Sequence, residues 1–243
     1  MKYKTLFYIV GVVSLLSTGC MGSGSRTLNS QNSNLGYPSS NIQSSKVTAT
    51  STMEEVKKSL EYMYEEERLA KEVYLSIYQK QPVRQLYRIA TNSETRHISA
   101  VEALARKYGV RLYPQRVGVY RNPHIQSLFN SLYAKGVRSQ KDALEVGCMV
   151  EVTDVEDLNR YIATAQRAGA SDVVQTYEFL RRGSYNHYWA FDRGLKSLGV
   201  SNGCCALGSK YCHPEYPQNQ RGRGRGRGRG HGMGYGMGGG PWR

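Results

Sequence analysis

Apolar side chains recur at steps of three and four from about residue 51 to residue 200, and the pattern stops at glycines and prolines. It predicts an all-α domain of four long helices and one short one. The first helix spans about 53–80 and ends before Pro82. The second covers about 83–108 and stops at Gly109, a loop with two prolines fills 110–123, and a short helix over about 124–135 ends at Gly136. Ser139 is placed to cap a third long helix over about 140–168, and Ser171 a fourth that reaches Leu198 before Gly199. Four long helices with short links predict a bundle.

The inward seams of these helices are not uniformly apolar. They read Val56, Leu60, Met63, Glu67, Ala70, Tyr74, Ile77; then Leu86, Ala90, Glu94, His97, Val101, Leu104; then Leu144, Gly147, Glu151, Asp154, Leu158, Ile162; and finally Val173, Tyr177, Leu180, Ser184, His187, Phe191, Leu195, Leu198. Residues one turn apart share a helix face, so Glu67, Glu94, His97, Glu151, Asp154 and His187 are all expected to point inward. An isolated buried carboxylate protonates rather than stay charged, and a cluster of acids and imidazoles calls for a compensating cation. Singly, His187 reads as a hydrogen-bonded core histidine, and Asp154 as a cap or an arginine partner. For the whole cluster the rival is a salt-bridge network, but few cationic residues lie on the seams. Registration on four seams points to a metal site. Carboxylate with imidazole suits iron or manganese, and zinc is compatible by ligand type.

Tyr74, two turns from Glu67, is placed to hydrogen-bond the site or donate an electron, and Ser184 stands one turn from His187 as a supporting hydroxyl. Glu65 and Glu66 face away from the seam and read as solvated or supporting. Gly147 and Gly183, poor helix residues, leave room for a ligand or for close helix approach. Tyr185, Tyr188 and Trp189 read as outer packing.

Both ends of the 243-residue chain look non-globular. Lys2 and Lys4 precede an apolar run over 6–16, too short to span a membrane, followed by Ser17, Thr18, Gly19 and Cys20. Small residues before a cysteine resemble the bacterial lipoprotein cleavage box, in which the cysteine, here Cys20, becomes the lipidated first residue; an ordinary cleaved secretory signal is the alternative. Either reading exports the chain to the cell envelope, with the lipid as its membrane attachment. The expected organisation is a signal peptide over 1–19, a flexible Ser/Asn-rich tether over 20–50, the helical domain over 51–200, a cysteine-containing segment over 201–220, and a disordered Arg-Gly-rich tail over 221–243.

The net charge of +14 is largely peripheral, since Lys2, Lys4 and six tail arginines supply eight positive charges. Arg-Gly repeats attract phosphate by counterion release without reading sequence. For an exported chain the expected partners are anionic envelope polymers or lipid headgroups rather than specific nucleic acid, and a solubilising arm without a partner is the plain alternative. Of the cysteines, Cys204, Cys205 and Cys212 are the disulfide candidates, with one of the adjacent pair bridging Cys212. With His213 they match no common zinc spacing.

Glu67-Arg-Leu-Ala70-Lys-Glu-Val-Tyr74 resembles the first-helix signature of ferritin-like proteins, and Glu94-Thr-Arg-His97 their Glu-x-x-His motif. With the blocks over 62–70, 93–97, 142–147 and 183–187 followed by Ala190-Phe191, the region over about 53–198 is similar to the bacterial ferritin-like family of domain of unknown function 2202. The resemblance implies a ferritin-like four-helix bundle, here with an extra short helix between helices two and three. It also implies a centre of one or two metal ions that reacts with oxygen or peroxide, as in ferroxidases and peroxide-scavenging relatives. One departure stands out: helix four carries Ser184-Tyr-Asn-His187 where a second Glu-x-x-His is the rule. Glu151 and Asp154, one turn apart on helix three, are the replacements on offer. The competing expectation is a non-enzymatic envelope protein in which the bundle is a scaffold with at most a structural metal and the basic tail binds polyanions.

Overall fold

The computed structural model describes residues 40–218, with side-chain surroundings from Thr50 onward. The expected signal peptide, Cys20, most of the tether and the Arg-Gly tail lie outside the described residues. Six α-helices are present: α1 (Ser40–Tyr78), α2 (Arg84–Arg88), α3 (Thr95–Lys107), α4 (Pro123–Gly136), α5 (Gln140–Arg167) and α6 (Ser171–Ser197). A π-helical stretch, Ile89–Glu94, joins α2 to α3 in one helical run, and two short 3-10 turns, Gly203–Leu207 and Ser209–Tyr211, follow α6. Among the described residues there is no strand.

α1 packs on α3 and α5, α5 on α6, and α3 on α6, so the four meet in a ring, with α4 laid over α1 and α5. The core inside the ring comes in two apolar clusters. One contains Val56, Leu60, Met63, Val101, Leu158, Ile162 and Leu180. The other contains Val73, Ile77, Leu86, Ala90, Leu144, Val152, Phe191 and Leu195. On α1, the second helical run and α6 the polar seam residues fall between the stretches that build these clusters, while on α5 Glu151 and Asp154 alternate with Val150, Val152 and Val155 of the second cluster.

Local signals explain several helix ends. Asn122 accepts from the backbone N–H of His124 at 2.9 Å, with Pro123 as the first residue of α4. Ser139 caps α5 by accepting from Asp142 N–H at 3.0 Å. Gly109 and Gly169, at φ +66° and +67°, end α3 and α5 in the left-handed region that glycine enters without strain.

Four expectations need correction. α1 begins at Ser40 rather than near residue 53, so 40–50 belong to a helix instead of the tether: extending a formed helix is far easier than starting one, and weak formers are carried along. Ser171 is the first residue of α6 and not its cap, because Ala170 holds that position without a side-chain bond. The second helix is not α-helical throughout, and Thr95 Oγ1 donates to Ala90 O, five residues back, across the widened turn at 3.1 Å. Finally, the packed body runs past residue 200. Tyr188 donates to Tyr211 O at 2.9 Å and Trp189 to Tyr216 O at 3.0 Å, so these aromatics clasp the C-terminal segment. Two disulfides complete the clasp: Cys205–Cys212, in line with the expected short loop, and Cys148–Cys204, which ties the segment to α5 and was not foreseen because only folding brings Cys148 to that surface.

Candidate metal centre

Glu67, Glu94, His97, Glu151, Asp154 and His187 are all buried in the polar layer. α1 supplies Glu67, and the π stretch and α3 supply Glu94 and His97. α5 supplies Glu151 and Asp154, and α6 supplies His187. Glu94 is central: its Oε2 lies 3.0 Å from His97 Nδ1 and its Oε1 lies 3.0 Å from His187 Nδ1. His97 Nδ1 is also 3.1 Å from Glu67 Oε2, and His187 Nδ1 is 3.3 Å from Glu151 Oε2. The result is two triads, Glu67–Glu94–His97 and Glu94–Glu151–His187, that share Glu94; within each, the potential ligand atoms all lie within 4.8 Å of one another. The two imidazoles stack with centroids 5.7 Å apart.

Asp154 stands beside the triads, and Ser184 on α6 donates a short hydrogen bond to its Oδ2. The hydroxyl thus occupies the helix-four position where a glutamate was missing and holds the α5 carboxylate instead. Tyr74 donates to Glu151 Oε1 at 2.5 Å, which makes it a positioning group for that carboxylate. Gly183 answers to close approach: a Cβ there would sit 2.5 Å from His97 Nε2, so only glycine admits the imidazole. Gly147 makes the same allowance for the Phe191 ring.

The electrostatics show what the layer lacks. Burial pushes Glu67 well up, against the pull of His97. It pushes Asp154 up to about 7, against the Ser184 hydrogen bond, and Glu151 up, against His187. Burial would do the same to Glu94, but His187 and His97 overcome it and hold this carboxylate well below the usual range. Burial opposes charge on the imidazoles, yet Glu151 and Glu94 drive His187 up to about 10, and Glu67 and Glu94 raise His97. The surrounding carboxylates thus favour the charged form of both imidazoles. Glu67 Oε1 and Asp154 Oδ1 are buried with no hydrogen-bond donor among the described residues. A carboxylate-rich set with two imidazoles and orphaned acceptor atoms fits hard or borderline divalent cations.

Glu65 and Glu66 are both buried, which removes the solvated alternative and leaves the supporting one. Glu65 accepts the backbone N–H groups of Arg121 and Asn122, each at 2.8 Å, and pins the loop between α3 and α4 onto α1. Glu66 is pushed well up by burial and by Asp154 and Asp157, and no donor among the described residues reaches either of its oxygens. Seam periodicity selects a single inward face and therefore missed both. The unbroken polar run Glu65-Glu66-Glu67-Arg68 between Tyr64 and Leu69 was the available signal, since four polar residues span a full turn and something must cover each side.

A family model described as an uncharacterized protein domain, DUF2202, matches residues 56–210. The chain belongs to the DUF2202 family. Its match takes in all six candidate ligands and the Cys148–Cys204 disulfide, and it ends at residue 210, before Cys212, the partner of Cys205. This DUF2202 chain is 38% identical over 148 residues to the uncharacterized protein MJ0754 of Methanocaldococcus jannaschii, covering 60% of the present chain and 78% of that protein. The crystal structure of the hypothetical protein MJ0754 superposes with a TM-score of 0.56, covering 59% of this chain and 81% of that one.

Proposed function

We propose that this DUF2202 protein is an exported, lipid-anchored metalloprotein of ferritin-like four-helix type, holding two iron or manganese ions, or zinc by the same donor chemistry. Glu67, Glu94 and His97 would hold one ion; Glu94, Glu151 and His187 would hold the other, with Asp154 at hand. The observation that carries this reading is Glu94, a buried carboxylate whose two oxygens each face a different imidazole–carboxylate pair. A salt-bridge network has no use for Glu67 Oε1 and Asp154 Oδ1, which are buried without donors.

Bound iron or manganese would supply redox reactivity toward oxygen or peroxide, so the chain is read as a ferroxidase- or peroxidase-type oxidoreductase. The protein's own part is to hold that chemistry in place. Tyr74 fixes Glu151, Ser184 fixes Asp154, and the apolar clusters on either side keep bulk water from the layer, which strengthens each charge interaction inside it. The two disulfides support an oxidising compartment and hence export. Lipidation at Cys20 and anionic envelope partners of the Arg-Gly tail complete the proposal.

The test is metal analysis of the purified chain, followed by titration of the metal-free protein with ferrous iron while oxygen consumption is recorded. Saturable uptake near two ions per chain, lost in Glu94→Gln, is expected. A wild-type chain that retains no transition metal and consumes no oxygen would leave the bundle as a scaffold. For the anchor, Cys20→Ser should abolish lipid labelling; an unlabelled wild-type protein would refute it.

A further inference from the structure

A cavity lies away from the charged layer, between α1 and the loop that joins α3 to α4. Its volume is about 640 Å³, within the size range of small-molecule sites. Its cations are Lys58, Arg111 and Arg121, and none of their side chains has a carboxylate partner among the described residues. Two carboxylates share the cleft, but Glu65 is committed to the backbone N–H groups of Arg121 and Asn122, which leaves only the exposed Glu61.

The remaining wall is aromatic. Tyr113 is 41% exposed and lies under two guanidinium groups, Arg121 at 4.1 Å and Arg111 at 5.1 Å from its ring centre. Tyr62 on α1 and Tyr161 on α5 pack at a tilt with ring centres 5.6 Å apart at the edge of the cleft. Uncompensated cations call for an anion, while flat guanidinium and tyrosine faces favour a planar partner by stacking.

We infer that this cleft is a binding site for a small planar aromatic carboxylate, with Arg111 and Arg121 as its charge partners and the tyrosines as its stacking surface. The site is also connected to the charged layer. Tyr62 donates to Asp157 Oδ2 at 2.8 Å, and the Asp157 charge helps to raise Glu66, the neighbour of Glu67. Occupancy is therefore positioned to be felt at the proposed metal centre, although binding itself requires no metal.

The test is calorimetric titration of the full metal-free chain with salicylate, with benzoate, and with the non-planar cyclohexanecarboxylate. Because every variant keeps the Arg-Gly tail, the differences between proteins and between ligands carry the test. Arg111→Ala combined with Arg121→Ala should weaken salicylate by at least about tenfold, equivalent to about 1.4 kcal/mol. This double variant leaves the Arg121 backbone bond to Glu65 in place, so the loop keeps its anchor. Cyclohexanecarboxylate should bind at least about tenfold more weakly than benzoate. Wild-type chain that binds none of the three, binding that survives the double variant, or equal affinity for benzoate and cyclohexanecarboxylate would each overturn the inference. None of these outcomes bears on metal uptake, so failure here is distinct from failure of the metalloprotein proposal.

Discussion

Gly183→Ala sets two known effects against each other at the heart of the layer. In a helix interior alanine is ordinarily favoured over glycine by about 0.5–1 kcal/mol. At this position the new methyl would lie 2.5 Å from His97 Nε2 and 2.6 Å from its Cε1, well inside van der Waals contact. His97 has nowhere to go: its Nδ1 is held between Glu67 at 3.1 Å and Glu94 at 3.0 Å, and Phe179 stands edge-on at 5.6 Å. Overpacking of this kind costs about 1–3 kcal/mol, so the net loss should be about 0.5–2 kcal/mol. For a domain of this size that is a fall in Tm of roughly 2–6 °C. Gly147→Ala is the comparator, because its methyl would strike the Phe191 ring rather than a ligand. Thermal unfolding followed by circular dichroism, with metal content measured on the same samples, should show both variants destabilised and only Gly183→Ala impaired in metal uptake. A Gly183→Ala protein more stable than wild type with full metal content would show that His97 is not wedged against α6, and the reasoning would fail.

Glu94→Gln removes the carboxylate that both histidines share, so metal affinity should fall by more than the roughly 10–100-fold typical of losing a supporting partner; dialysis against a competing chelator measures it. Glu65→Ala should cost about 1–3 kcal/mol in urea unfolding by stranding two backbone donors, while the exposed Glu61→Ala changes little. pH acts with a defined sign. The folded-state values of Asp154, up to about 7 from 3.8, and His187, up to about 10 from 6.5, are raised, so the folded chain holds extra protons and metal-free stability should fall as pH climbs through that window. Glu94, held low, works the other way only below its ordinary value of 4.5. Metal uptake should strengthen over the same climb as protons cease to compete, and urea midpoints with and without metal would expose parallel slopes as a contradiction. Replacing Cys148 and Cys204 with alanine opens a loop of separation 56 and should cost about 4 kcal/mol, against about 2.5 kcal/mol for the pair of separation 7; equal losses in urea would contradict the chain-entropy account.

The helical class and the inward ligands were legible because helical periodicity is a local property: a residue three or four positions from an apolar neighbour shares its face whatever packs there. That rule alone placed Glu67, Glu94, His97, Glu151, Asp154 and His187 on buried seams, and all six are buried. It could not reveal Glu66, whose cover comes from the α5 side, or Glu65, whose partners are backbone N–H groups of a loop 56 and 57 residues away. Nor could it separate the π stretch before Thr95 from an ordinary turn, since one widened turn leaves the apolar spacing on either side nearly intact.

By itself, then, the order of residues determined which side chains face inward, where most helices stop, and that acids and imidazoles share the interior. Each of these follows from interactions within a turn or two of the chain. Only the tertiary structure decided which carboxylate sits between the two histidines, that Ser184 holds Asp154, that Cys204 reaches Cys148 rather than Cys212, and that a tyrosine- and arginine-lined cleft opens between α1 and the long loop. These depend on the rotation and offset of helices far apart in sequence, and no local pattern encodes the distance between atoms that meet only when the helices pack.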